Sequence, residues 1–279
     1  MPVRVNISCQ GTGTAADIKT NVRRSSKYPK VEWAEFKYPI AAVVGGGVSV
    51  KSKLGILRQW PGDIFAINDT AKFLSDNGIQ CILFAVDTTQ VPYKIGPLVT
   101  GAILASRVHR IQFTQLKGRD VKVFDMAEED SHKGIEGGPT AVCRTPHLLL
   151  RMGYKGVRYF GCEGSFELDK THTSGYSRAA YDNMMIITAG GIDYYTNAAF
   201  MLQTEYMSDV IIKYKPFLSE DSGGLLEAMI KYPDTWTISA IADDFKGKFE
   251  TSGCKAWNVK YQGGNEIWQP PATLSLQHS

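Results

Sequence analysis

Long apolar runs are missing from this 279-residue sequence; Ile40 to Val44 and Cys81 to Val86 are among the longest. A transmembrane helix needs about twenty consecutive apolar residues. Met1 to Gln10 also lack the apolar core of a signal peptide, so a cytoplasmic chain is expected. Cysteine is scarce: Cys9, Cys81, Cys143, Cys162 and Cys254 are scattered, with no C-x-x-C pair. That spacing argues against a zinc ribbon or a dithiol redox motif and for reduced, structural thiols. Neither sign of charge dominates, with 31 Lys and Arg against 28 Asp and Glu, a net charge of +3. The densest basic stretch, Lys19 to Lys30 with Arg23, Arg24 and Lys27, reads as solvated surface. It permits an anionic or nucleic-acid partner without requiring one. The sequence has no GxxxxGK[ST] loop, no GxSxG elbow and no D-x-D motif, so neither a P-loop kinase nor a serine hydrolase is supported.

Apolar residues make up 43% of the chain and charged residues 21%, a balance that suits a folded globular protein. The length fits one large α/β domain with decorations. Residues 1–38 read as an N-terminal extension, 39–232 as the main domain and 233–279 as a C-terminal extension packed on the core, with Trp236, Trp257 and Trp268. Within the main domain, short apolar runs alternate with helical segments. Ile40 to Val44, Asp63 to Ile67, Cys81 to Val86, Gly101 to Ala105, Val121 to Phe124, Gly156 to Phe160 and Val210 to Tyr214 read as strands, whereas Met184 to Thr188 is ambiguous. Asp69 and Asn197 are placed to cap the helices that follow them. Pro146 either kinks a helix over Pro139 to Met152 or opens one capped by Thr145. The alternation predicts a Rossmann-like α/β fold, a mostly parallel sheet with helices on both faces.

In such sheets ligands bind beyond the C-terminal strand ends. The first strand leads into Gly45-Gly46-Gly47-Val48-Ser49, the second into Asn68, the third into Asp87 and the strand ending at Phe160 into Gly161-Cys162-Glu163. Glycines let a backbone approach a phosphate at a helix N-terminus, but a triple glycine also suits a tight turn, and this one is not GxGxxG. Asn68 offers a donor and an acceptor to a ribose or base, or it caps a helix. Asp87 suits a ribose hydroxyl, a metal or an acceptor, or it is a turn residue. His172 lies in the polar loop Asp169 to Gly175, where a histidine serves as a general base near neutral pH or is simply exposed.

Taken in order, these segments resemble the MptE-like proteins. That family includes archaeal 6-hydroxymethylpterin diphosphokinase and the motility-accessory-factor glycosyltransferases of flagellin, and it is similar to bacterial lipooligosaccharide sialyltransferases. The carrying residues are Val43 to Ser49 against a GxGPSL signature, Asn68, Asp87, Gly153 to Glu163, His172 to Gly175 and Ser222 to Leu226. The match spans roughly residues 40–230. The sequence departs from the pattern at Val48, where proline is usual, and at Glu163, where aspartate is usual.

The resemblance implies a transferase using a nucleotide-activated donor, with a glycosyltransferase favoured. Gly45, Gly46, Gly47, Ser49, Asn68, Gly137, Gly138, Thr140, Gly161 and Cys162 would hold the nucleotide-sugar. His172, Asp87 and Glu163 would act on a hydroxyl of a glycan, protein, pterin or modified nucleobase in DNA. No cofactor is then expected. The alternative is an ATP-dependent diphosphokinase, in which Asp87 and Glu163 would hold Mg2+. A third reading is an inactive nucleotide-binding module.

Overall fold

The computed structural model describes residues 13–36, 38–88, 90–127, 134–166 and 184–241, with 258–262 and 265–269. The apolar runs form the centre. Strands β1 (Tyr38–Val44), β2 (Ile64–Ile67), β3 (Cys81–Ala85), β4 (Val99–Ala105), β5 (Asp120–Phe124), β6 (Tyr154–Phe160) and β9 (Leu218–Glu220) make a seven-stranded sheet in the order β5-β4-β3-β2-β1-β6-β9. Every pairing in it is parallel. Ala41 to Val44 and all four residues of β2 are buried, as strands covered on both faces must be.

The helices between the strands are α2 (Val50–Arg58), α3 (Thr70–Asp76), α4 (Arg110–Gln115), α5 (Ala141–Arg151) and α6 (Ala198–Lys213). From β1 the chain steps outward to β5, then returns to lay β6 on the other side of β1. Right-handed crossovers then put α2, α3 and α4 on one face and α5 and α6 on the other. The reversal makes the boundary between β1 and β6 the topological switch point, where such sheets open a ligand crevice. This is the Rossmann-like architecture expected.

A second, antiparallel sheet in the order β10-β7-β8 joins β7 (Met184–Ala189), β8 (Ile192–Asn197) and β10 (Thr237–Ile241). Met185, Ile187 and Trp236 from this side pack with Met201 of α6 and with Leu225 and Met229 of α7 (Gly224–Lys231) into a separate small core. A hairpin of β11 (Asn258–Gln262) and β12 (Asn265–Gln269) follows. At the other end, α1 (Ala15–Ser25) precedes Pro29 to Val31, which bonds the open edge of β5 through Val123.

Three local expectations are corrected. Val210 to Tyr214 is the end of α6 rather than a strand. Met207, Val210 and Ile211 are buried whereas Ile212 is exposed, an i, i+3, i+4 pattern that suits a helix. Asp69 does not cap α3; its Oδ1 accepts from the Lys94 backbone N–H at 3.0 Å instead. Pro146 lies inside α5, which neither starts at Thr145 nor breaks there. The Val142 carbonyl would have received the N–H that proline lacks. The Thr145 hydroxyl donates to it instead, at 2.7 Å. Asn197 does cap α6, accepting from Phe200 N–H at 2.9 Å.

Candidate functional site

The loops after β1 and β6 form one unit. Gly45 N–H donates to Phe160 O at 2.8 Å and Gly47 N–H to Gly161 O at 2.9 Å. A side chain at Gly45 would collide with the Gly161 carbonyl, and one at Gly161, whose φ is +64°, with Val50. These glycines are therefore required by the close approach of the two loops, whatever binds there.

Gly47 has a different reason. A Cβ there would collide with the Glu163 carboxylate. That side chain is only 5% exposed. Its Oε1 accepts from Ser49 N–H at 2.9 Å and its Oε2 from Ser49 Oγ at 3.0 Å. Ser49 is the residue that opens α2 and makes no cap bond of its own. The N–H groups of Val50, Lys51 and Ser52 bond the carbonyls of Gly47, Val48 and Ser49, so the Ser49 N–H, its hydroxyl and the helix dipole are what favour an anion at this point. Glu163 supplies one from within the protein, where a phosphate would otherwise be drawn. The last glycine loop repeats the arrangement: Glu220 accepts from Ser222 N–H at 2.7 Å and Gly223 N–H at 3.1 Å. Burial raises the Glu220 carboxyl above its ordinary range, partly offset by those two bonds.

Cys162 is buried between the loops, and burial pushes its thiol well above the usual range. It stays a neutral thiol at neutral pH, without the thiolate a nucleophile needs. Its backbone N–H donates to Ser222 Oγ at 3.0 Å. Gly138 and Thr140 precede α5 and are committed to α6. A Cβ at Gly138 would sit 2.8 Å from the Tyr206 ring, and Thr140 Oγ1 donates to Gln203 Oε1 at 2.8 Å. Gly137 abuts Arg144 and the Cys143 carbonyl.

A second cluster lies two strands along the same edge. Asn68 directly follows β2 and is the one non-glycine residue with positive φ, +50°, among the described residues. Its Nδ2 donates to Asp87 Oδ2 at 3.1 Å, while its own Oδ1 is buried without a hydrogen-bond partner. Tyr93 Oη reaches the same Asp87 oxygen at 3.5 Å. Burial raises the Asp87 carboxyl, against the lowering effect of Asn68 and Tyr93. Burial, helped by Asp87 and Asp69, also pushes the Tyr93 phenol far up, so it remains a proton donor. Tyr93 is delivered by α4: buried Gln112 accepts from Tyr93 N–H at 2.9 Å and donates to Val91 O at 2.8 Å. Sequence reasoning missed Tyr93 because no periodicity or motif marks the stretch from Val91 to Gly96; only the packing of α4 reveals it.

The structure thus brings Gly45, Gly47, Ser49, Gly161, Cys162 and Glu163 into one cluster and Asn68 with Asp87 into another. His172 falls outside the described residues. Together they define a Rossmann-like α/β protein with polar clusters along the C-terminal edge of its sheet. No family model matches the chain, and no curated protein matches its sequence. Among solved structures, the MAf glycosyltransferase from Magnetospirillum magneticum AMB-1 is similar in fold. It superposes with a TM-score of 0.55 at 13% identity, over 75% of this chain and 36% of that protein. The chain therefore spans little more than a third of that protein's length, and the likeness is one of fold.

Proposed function

We propose that this protein is a transferase that uses a nucleotide-activated donor, and that it moves a glycosyl group onto a hydroxyl acceptor. The observation that carries this is Asn68. Asparagine takes a left-handed backbone more readily than other non-glycine residues, so φ +50° there is adopted at small cost. Its Oδ1 is a buried acceptor without a donor, which costs about 1–3 kcal/mol. That cost falls beside a half-buried carboxyl, at the sheet edge where such folds bind ligands. A ribose hydroxyl or a base N–H would complete the bonding of Asn68 Oδ1.

His172, which the resemblance casts as a base, favours glycosyl over pyrophosphoryl transfer, since phosphoryl transfer needs positioning and charge more than a base, and the fold likeness to the MAf glycosyltransferase agrees with it. So do the carboxylates. The diphosphokinase reading asks Asp87 and Glu163 to hold Mg2+. Asp87 is engaged with Asn68 and Tyr93, and Glu163 with Ser49. In the glycosyltransferase reading His172 serves as the base, as the resemblance implies.

A thermal-shift panel of CMP, UDP, GDP, ATP and their sugars, with and without magnesium, tests this. One nucleotide and its sugar should raise the melting temperature of the wild type, and Asn68→Ala should reduce that shift. A panel without any shift, or a shift that survives Asn68→Ala intact, would overturn the reading.

A further inference from the structure

The basic stretch between Lys19 and Lys30 plays no part in the crevice. Most of it is α1, opened by a capping box in which Asp17 N–H donates to Thr14 Oγ1 at 3.2 Å and Thr14 N–H to Asp17 Oδ2 at 3.1 Å. Bonding to Thr14 holds the Asp17 carboxyl below its ordinary range. The one acidic residue of the helix is thus fixed at its N-terminus. Asn21 and Ser25 face the body, where Asn21 Nδ2 donates to Arg107 O at 3.1 Å. With 100° per residue, Lys19, Arg23 and Arg24 occupy the outer half. They are exposed there, as is Lys27 just beyond the helix end.

Among the described residues none of these four forms an ion pair; Lys27 lies over the Tyr28 ring, 5.4 Å from its centroid. Residues 15–27 carry a net charge of +3, equal to that of the whole chain. The remainder is neutral on balance, so the excess is concentrated on one surface about 16 Å long. That surface begins beside the Asn68–Asp87 cluster: Gly13 packs on Thr88, next to Asp87, and a Cβ at Gly13 would lie 2.7 Å from Thr88 Oγ1.

We propose that the outer face of α1 is a docking surface for the phosphate backbone of a nucleic acid. Cations one helical turn apart, two of them arginines able to grip a phosphate in bidentate fashion, match a regular polyanion. An interfacial membrane helix would present an apolar face outward, and a stable protein interface would have a largely apolar, charge-depleted centre. The outer half of α1 has neither; its buried residues point inward. Contact of this kind is independent of base sequence. The surface does not depend on the transferase reading, and its test needs no donor.

The test is fluorescence anisotropy of the full chain with labelled DNA of about 20 nucleotides, single-stranded and duplex, from about 50 mM salt upward. Binding should weaken with salt, with a log–log slope of about −2 to −4 for three or four phosphate contacts. The triple variant K19E/R23E/R24E should lose at least about tenfold in affinity, and K19Q/R23Q/R24Q should lose less. K19Q/R23Q/R24Q should keep an unfolding midpoint near that of the wild type, because the side chains are exposed, and K19E/R23E/R24E should stay folded with a slightly lower one, because Arg23 and Arg24 lie in the last turn of α1, where the helix dipole disfavours Glu. DNA binding that is absent at low salt, or unchanged in both variants, would overturn the proposal. So would tighter binding of heparin or of phosphatidylglycerol vesicles than of DNA.

Discussion

Glu163 allows the sharpest test of how the glycine loop works. Its carboxylate takes two donors of Ser49, at 2.9 and 3.0 Å, from a nearly buried position at the start of α2. Hydrogen bonds to a charged group contribute about 1.5–3 kcal/mol each, and a helix N-terminus adds about 0.3–1 kcal/mol for an anion. Against this stands the cost of desolvating the carboxylate. Glu163→Gln keeps the shape and one acceptor while removing the charge, so it should cost about 1–2 kcal/mol of stability. Glu163→Ala leaves the Ser49 N–H without its acceptor and opens a void, so it should cost about 2–4 kcal/mol. Urea unfolding measures both. Both variants remove the charge from the anion position, and Glu163→Ala also vacates it. If Glu163 stands in for a phosphate, Glu163→Ala should bind pyrophosphate or a nucleoside diphosphate up to about tenfold more tightly, because the occluding group no longer has to be displaced, and Glu163→Gln should gain less, because its amide still fills the space. Isothermal titration calorimetry reads that change. Weaker nucleotide binding in both variants would refute the reasoning and make Glu163 a direct donor ligand. Wild-type stability in Glu163→Ala would show that the clasp contributes nothing.

Four further outcomes are expected. His172→Ala should lower turnover by about 10²–10⁴ and leave nucleotide affinity nearly unchanged, because a general base acts on the reacting group; steady-state kinetics with the identified donor checks this. Glycosyl transfer should continue in excess chelator, whereas ATP turnover that stops on chelation, with no sugar-nucleotide hydrolysis, would favour the diphosphokinase. Asp87 is raised above its ordinary value by burial, so the folded state holds its proton longer than the unfolded state. Stability should therefore fall as pH rises from the ordinary aspartate value through the raised one; melting curves of wild type and Asp87→Asn across that window should converge at low pH and separate above it. Thr145→Val should cost about 1–3 kcal/mol by stranding the Val142 carbonyl, and the cost should shrink when Pro146→Ala restores the missing N–H, as a double-mutant cycle in urea would show.

The strands from β1 to β6 were legible because each carries a short apolar run that gives way to Gly, Asn or Asp or, after β4, to Ser106, and the central ones, buried on both faces, have little polar alternation to confuse them. The Asn197 cap was legible for a similarly local reason, since a cap bond spans three residues. Where two periods fit the same letters, chain order could not choose. Val210 to Tyr214 is apolar enough for a strand, and only packing of Met207, Val210 and Ile211 against the main core makes it a helix. Strand β8 carries Asp193, Tyr194, Tyr195 and Thr196, and β9 has three residues, so neither shows an apolar run. In the candidate site the sequence by itself determined which residue types stand at the strand ends: glycines, Ser49, Asn68, Asp87 and Glu163. It did not determine their partners. Glu163 and Ser49 are 114 residues apart, and Tyr93 reaches Asp87 because Gln112 clamps the loop. A helix N-terminus attracts any anion within reach, and only the return of β6 alongside β1 brings a carboxylate of this chain to that position.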